Sequence, residues 1–333
     1  MDNPILTIAV PTYNGSKTIE DMLDILLPQV DERIEVLISD NCSTDSIPQI
    51  IKKYKESYPQ IRYIRNKTNI GPDANFLNAL NMAQGKYVLL LSDDDILIEK
   101  SLVNILDFLE NNQDLTLVYL HTVGFHNKYT GVENCIRPGR EVEKNICTKD
   151  KKAFMEYAGF YWGFMSSFIC SKACVDRINN PEDFFGTYWL QSYIHILCSA
   201  DNEAKLGVVK GPCIAAGAYI NLANFDTSLV DGVYYRKMLD FAVEKAGYDK
   251  KQLDELYINR LCILGKRAVI KEKAAGIRKT NVKRLFDCTK KYPKAWIRLY
   301  PCLIIPAPIC KVVITSYRKF RKADGNIRIN RPE

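Results

Sequence analysis

Several signals that would settle a function on their own are missing from these 333 residues. No GxGxxG follows the first apolar run and no GxxxxGK[ST] occurs anywhere, so dinucleotide and P-loop chemistry lose their main support. The eleven cysteines are scattered without CxxC or Cys-His spacing, which argues against a zinc site and for reduced thiols in a cytosol. A signal peptide is not expected either. The opening MDNPILTIAVPTYN has no basic n-region and is apolar only from Leu6 to Val10 before Pro11. The one other long apolar stretch, Leu299 to Thr315, is interrupted by Pro301, Pro306, Pro308 and Lys311, too often for a spanning helix. No internal repeat or low-complexity tract is visible.

What is present reads as a soluble globular chain. Hydrophobic residues make up 47% and charged residues 26%, enough to bury a sizeable core, and the length suits a main domain plus a smaller extension. The net charge of +7 is unevenly placed. Between Lys266 and Lys322 there are seventeen Lys and Arg against two acids, Glu272 and Asp287. That segment therefore points toward an anionic surface, phospholipid headgroups or nucleic acid.

The first half alternates short apolar strands with amphipathic helices. Strands are expected at Leu6–Val10, Val36–Ile38, Ile61–Ile64, Val88–Leu91 and Leu115–Leu120, the helices between them starting near Ser16, Ser43, Pro72 and Lys100. This rhythm predicts an α/β fold, a mostly parallel sheet with helices on both faces. Ligands of such sheets sit outside the carboxyl ends of the strands. The polar clusters fall there: Pro11, Thr12, Tyr13 and Asn14, then Asp40 and Asn41, then Asp93, Asp94 and Asp95. Three adjacent carboxylates repel one another and need water or a cation. A nucleoside diphosphate held through a divalent ion fits the arrangement; a solvated helix cap is the plainer reading.

Beyond Gly124 the pattern is irregular to about Lys152, and two aromatic clusters follow, FYWGFM at 160–165 and FFGTYW at 184–189. Their rings either fill the core or stack under a sugar. His195, inside the apolar run Tyr193 to Cys198, reads as a core histidine with its hydrogen bonds met. Residues 238–289 read as helical. In the tail, Trp296 and Tyr300 beside Lys294 and Arg298, with Tyr317, Arg318 and Lys319 at the far end, suit a segment lying in a bilayer interface; the alternative is a basic helix packed on the protein.

The stretches IAVPTYNGSKTIEDML, VLISDNCSTDSIPQII and NIGPDANFLNALNMAQGKYVLLLSDDDIL, in that order, resemble the family 2 glycosyltransferases, which have the GT-A fold. With GFMSSFICSK and FFGTYWLQSYIH they look most like the abequosyltransferase-type branch of bacterial O-antigen and polysaccharide synthesis. The resemblance implies that Thr12, Tyr13 and Asn14 line the nucleotide pocket, that Asp40 contacts the base and that Asn69, Gly71 and Asn75 contact the donor. It puts Asp94 on a divalent cation, Mg²⁺ or Mn²⁺, with Asp93 or Asp95 on ribose or water, although Ser92 replaces the first aspartate of the usual motif. Where many members carry a Glu-Asp pair as catalytic base this chain reads GTYWLQ. The carboxylates just upstream are Asp183, taken as the base, and Glu182 in reserve.

These readings combine into an inverting, metal-dependent transferase that moves a sugar, a deoxyhexose among the candidates, from a nucleotide-sugar donor to a lipid-linked saccharide acceptor. The expected domains are a GT-A domain over 1–235, divided near residue 120 into nucleotide-sugar and acceptor halves, and a helical, basic region over 236–333. The expected place is the cytoplasm, peripheral at the inner face of the membrane, with anionic lipid rather than nucleic acid as the partner of the tail. A nucleotidyltransferase and a catalytically degenerate sugar-nucleotide-binding scaffold are the alternatives.

Overall fold

The structure, a computed structural model, describes residues 4–125, 128–136, 141–217, 226–277 and 279–323, without the side chains of residues 160 and 317–323. The side chains of Tyr317, Arg318 and Lys319 thus lie outside the described part. Among the described residues nine strands form one sheet. They are β1 (Leu6–Thr12), β2 (Ile34–Asp40), β3 (Arg62–Arg65), β4 (Tyr87–Leu90), β5 (Ile96–Leu97), β6 (Leu115–Phe125), β7 (Ile146–Thr148), β8 (Phe168–Ser171) and β9 (Lys205–Gly217). The order is β3-β2-β1-β4-β8-β6-β9-β5, with β7 on β9.

The N-terminal part follows the expected parallel plan. Strands β3, β2, β1 and β4 run parallel, and every residue of β1, β2 and β4 is buried, as continuous apolar runs covered on both faces require. Helices α1 (Ile19–Leu26), α2 (Ile47–Ser57), α3 (Pro72–Met82) and α4 (Ser101–Asn111) separate the first five long strands. The inner face of α1 is Ile19, Met22, Leu23 and Leu26, the i, i+3, i+4, i+7 spacing that faces a core. Its N-cap is Thr18 rather than Ser16. The Ser16 amide instead donates to Asp45 Oδ2 at 2.9 Å.

Antiparallel pairing enters with β8, inserted between β4 and β6. Strand β6 continues five residues past Leu120 because its polar residues there are buried: Thr122 Oγ1 shares a hydrogen bond with Ser167 Oγ at 2.7 Å. The irregular middle contains β7 and a helix, Lys151–Ala158, capped by Asp150, whose carboxylate accepts from the amides of Lys152 and Ala153.

The aromatic clusters divide between core and surface. Trp162 is buried and meets Phe154, Phe168 and Tyr248 edge-on, and Trp189 is buried too, but Phe185 and Tyr188 are exposed. His195 lies in the core, 4.6 Å from the Phe168 ring, and burial pushes its imidazole down to about 3. It is neutral at ordinary pH, but Nδ1 has no hydrogen-bond partner among the described residues, where all its bonds were expected to be met.

The chain divides into two compact units, residues 1–220 with 240–250, and residues 221–239 with 251–333. The boundary expected after residue 235 falls inside the 221–239 segment. The second unit is helical in its described residues. Its core includes Tyr257, Leu261, Ala268, Leu285 and Leu299, with a part-buried ion pair between Arg260 Nε and Asp231 Oδ1 at 2.9 Å. All eleven cysteines are free thiols. No helix among the described residues is long and apolar enough to cross a membrane.

Candidate active site

Register places three polar strand ends side by side. Pro11 and Thr12 of β1 pair with Ser39 and Asp40 of β2, and Ala9 pairs with Leu90 of β4, so Asp93 comes level with Thr12. The two are bonded, Thr12 Oγ1 donating to Asp93 Oδ2. Gly15 permits this approach, since a Cβ there would lie 2.0 Å from Asp93 Oδ2. Beside them Tyr13 is exposed, and Asn14 adopts φ +55°. The Asn14 carboxamide oxygen accepts from the Thr44 amide at 2.8 Å, and the Asn14 backbone N–H donates to Ser43 Oγ at 2.9 Å.

The three aspartates have three different environments. Asp95 is buried and both its oxygens are engaged, Oδ2 by the Ser166 hydroxyl at 2.6 Å and Oδ1 by the Gly217 amide at 2.8 Å. It fastens the motif to the end of β9 and to the 3₁₀ turn just before β8. Burial, and then the neighbouring Asp94 charge, raise its pKa. Asp93 is half-buried; burial pushes it up to about 6, against the lowering effect of the Thr12 hydrogen bond. Asp94 is half-buried, with Oδ1 accepting from Ser92 Oγ at 2.5 Å and Oδ2 accepting no hydrogen bond among the described residues. Ser92, the departure from the usual motif, thereby orients the aspartate two residues on.

Asp40 is likewise turned inward. It is fully buried, its Oδ1 accepting from the Ser43 amide at 2.8 Å and its Oδ2 from Tyr63 OH at 2.6 Å and Arg65 Nε at 3.1 Å. Both carboxylate oxygens are thus engaged by the protein's own donors. The carboxylate holds Tyr63 and Arg65 in place, and burial together with Asp40 raises the Tyr63 phenol's pKa.

An amide network joins the remaining candidates. Asn41 Nδ2 donates to Asn69 Oδ1 at 2.9 Å and to the Gly71 carbonyl at 3.2 Å, while its Oδ1 accepts from Asn66 Nδ2 and the Ile70 amide. Asn75, buried on α3, bonds Ser39 through both ends of its carboxamide and accepts from Asn66. The loop 66–71 is thus clamped between β2 and α3. Asn41, Asn69, Gly71 and Asn75 come together, with Asn66 as a member that sequence reasoning passed over.

Glu182 and Asp183 lie exposed on a short 3₁₀ turn, Pro181–Phe184. The following turn reaches back to α3, where the Gly186 amide donates to Asp73 Oδ2 at 2.7 Å. Asp73 is a further residue the sequence did not single out; burial raises its pKa, against the Gly186 hydrogen bond.

Among the described residues no three His, Cys, Asp or Glu side chains gather as a metal site. A divalent ion bound by one or two carboxylates, with phosphate oxygens and water completing its shell, does not need three. Asp94 Oδ2, open at the strand ends beside Asp93, fits that role.

Residues 7–172 match the sequence model of glycosyl transferase family 2. The chain belongs to this family. It is 27% identical over 255 residues to abequosyltransferase RfbV of Salmonella typhimurium, covering 66% of this chain and 74% of that one. It is also 27% identical over 197 residues to the GalNAc(5)-diNAcBac-PP-undecaprenol beta-1,3-glucosyltransferase of Campylobacter jejuni, 57% of this chain and 60% of that. The S. aureus TarS 1-349 structure with UDP-GlcNAc superposes with a TM-score of 0.58 at 16% identity, over 94% of this chain and 91% of that. The mannosyltransferase PcManGT of Pyrobaculum calidifontis, with GDP-Man and Mn²⁺, gives 0.53 at 15%, over 96% and 89%. The sheet is therefore that of a GT-A glycosyltransferase, and the protein is a glycosyltransferase.

Proposed function

We propose that this family 2 glycosyltransferase transfers a sugar, with inversion, from a nucleoside diphosphate donor to a lipid-linked saccharide in bacterial surface polysaccharide synthesis. The observation that carries the reading is the convergence of Thr12, Asp93 and Asp94 with the clamped loop 66–71 at the ends of β1, β2 and β4. The exposed Tyr13, the Asn14 turn and the loop at Asn69 and Gly71 receive the nucleotide, while Asp40, Asn41 and Asn75 hold those loops. Asp94 would hold a divalent ion, which when bound would supply positive charge against the departing diphosphate. Asp183, with Glu182 beside it, takes the proton from the attacking acceptor hydroxyl. The named substrates of the Salmonella and Campylobacter relatives support a deoxyhexose donor and a polyprenyl-linked acceptor, and the basic tail supports work at the cytoplasmic membrane face.

Screening nucleotide sugars for thermal stabilisation, with and without Mg²⁺ or Mn²⁺, tests the donor, because a ligand bound only to the folded state raises stability by mass action. Stabilisation by one sugar nucleotide, dependent on the ion, is expected. Turnover of a nucleoside triphosphate with pyrophosphate release would instead mark a nucleotidyltransferase, and binding without transfer to any acceptor a scaffold.

A further inference from the structure

The turn Phe185–Tyr188 presents two large rings to solvent, Phe185 at 37% and Tyr188 at 53% exposure, although both of its flanks are packed. On one side Phe184 stacks on Tyr193, centroids 4.2 Å apart and planes 8° from parallel, and meets Phe241 edge-on. On the other, buried Trp189 lies so close to Gly163 that a Cβ there would come within 2.4 Å of its ring, and Gln191 Nε2 donates to the Gly163 carbonyl at 2.8 Å. Within the turn Thr187 Oγ1 donates to the Phe184 carbonyl and accepts from the Trp189 amide. Gly186 is pinned to Asp73.

These clamps hold a costly conformation. Gly186 has φ +76° and Tyr188 φ +65°, and a bulky aromatic residue in the left-handed region persists only where its surroundings over-determine it. In this conformation more than half of Tyr188 stays exposed. The position is also significant, because Asp73 lies two residues beyond Gly71, the donor-loop residue whose carbonyl Asn41 holds. Two rigid rings, with the exposed carboxylates of Glu182 and Asp183 just upstream, combine an apolar face for sugar C–H groups with acceptors for sugar hydroxyls.

We propose that Phe185 and Tyr188 form a stacking platform for a pyranose ring on the acceptor side of the site; naming that ring the acceptor rests on the transferase reading above. Saturation-transfer NMR on the full chain with methyl glycosides of glucose, galactose, mannose, rhamnose and N-acetylglucosamine tests it. At least one glycoside receives saturation at its ring C–H protons. Phe185→Ala and Tyr188→Ala each weaken that binding by about fivefold, the size of one aromatic contact, whereas Tyr188→Phe keeps it. Tyr188→Gly relieves the left-handed strain but removes the ring, and it too loses binding. Saturation of no glycoside, or equal saturation in a folded Tyr188→Ala or Phe185→Ala protein, overturns the platform. Nucleoside diphosphate affinity is unchanged in these variants. Glycoside binding through this turn in a protein that takes no nucleotide would sustain the platform and remove the donor reading.

Discussion

Asp93 and Asp94 are chain neighbours with opposite assignments, one held by Thr12 and one open, and substitutions separate them. Asp94→Asn keeps the size and the Ser92 hydrogen bond but removes the charge a divalent ion needs, so turnover falls by at least about 10²-fold. Calorimetric titration of nucleoside diphosphate with and without Mn²⁺ checks this: ion-dependent affinity that survives in the variant sinks the assignment. Asp93 makes a different prediction, in pH. Its folded pKa, about 6, lies above the ordinary carboxylate value, so the folded state holds the proton more tightly than the unfolded chain. Stability of the metal-free protein therefore declines as pH rises from roughly 4 through 6, by about 3 kcal/mol from this group. Asp93→Asn removes that part of the slope and raises Tm at neutral pH. Asp95 shifts in the same direction and leaves part of the slope in both proteins, so the measured quantity is the difference in Tm between wild type and variant across the pH series in chelator. Asp183→Asn should lower turnover by at least about 10²-fold with donor affinity intact, the signature of a lost general base; single-turnover rates at normal speed would take Asp183 out of the mechanism.

Among elements, the strands were the most legible and the pairings least. Leu6–Val10, Val36–Ile38 and Val88–Leu91 stand out because a strand covered on both faces is apolar throughout. By contrast β8 gives little local signal, being four residues long, and it acquires its place only by pairing antiparallel with β4 and β6. The continuation of β6 through His121 and Thr122 reads as polar and strand-ending until Ser167 is found as the partner. The site shows the same division. Clusters at strand ends follow from the alternation of strands and helices, so Thr12, Asp40 and Asp94 could be named in advance. Which carboxylates face inward could not, because the partners are distant in sequence: Asp95 bonds Ser166 and Gly217, and Asp40 bonds Tyr63 and Arg65. The clamp on loop 66–71 yields an element-scale prediction. Asn41→Ala takes away the acceptor of the Ile70 amide and one bond each from Asn66 and Asn69, at a cost of about 1–3 kcal/mol, and it loosens the loop. Chemical denaturation and nucleotide titration should show both losses; a variant with wild-type nucleotide affinity would mean that the loop has no part in donor binding.

At the scale of the whole molecule the charge is segregated, and the helical unit shows what the basic segment is attached to. The described part of the tail is three helices, Pro293–Arg298, Tyr300–Ile304 and the longer Ala307–Ala323. Ala295, Leu299 and Cys310 are buried within the unit, while Trp296, Ile297, Ile304, Ile309, Val312 and Val313 are exposed, Ile297 at 77% and Ile304 at 82%. Lys273 fixes the outward corner by donating to the carbonyls of Leu303 and Ile305. The two readings of the tail are thus compatible, since some of its side chains pack while others stay exposed in a segment whose sequence also carries Lys290, Lys291, Lys294, Arg298 and Lys311. Each basic residue near an anionic surface contributes about 1 kcal/mol, weakened by salt, and inserted aliphatic side chains add a salt-independent part. Flotation with vesicles of phosphatidylcholine alone, or mixed with phosphatidylglycerol, should therefore show binding to the anionic vesicles that added salt reduces. Ile297→Glu with Ile304→Glu should abolish it without unfolding the protein, because neither side chain is buried, and nucleotide binding should be untouched. Equal binding to neutral vesicles would remove the role of the basic charge, and undiminished binding of the double variant would remove this face from the interaction.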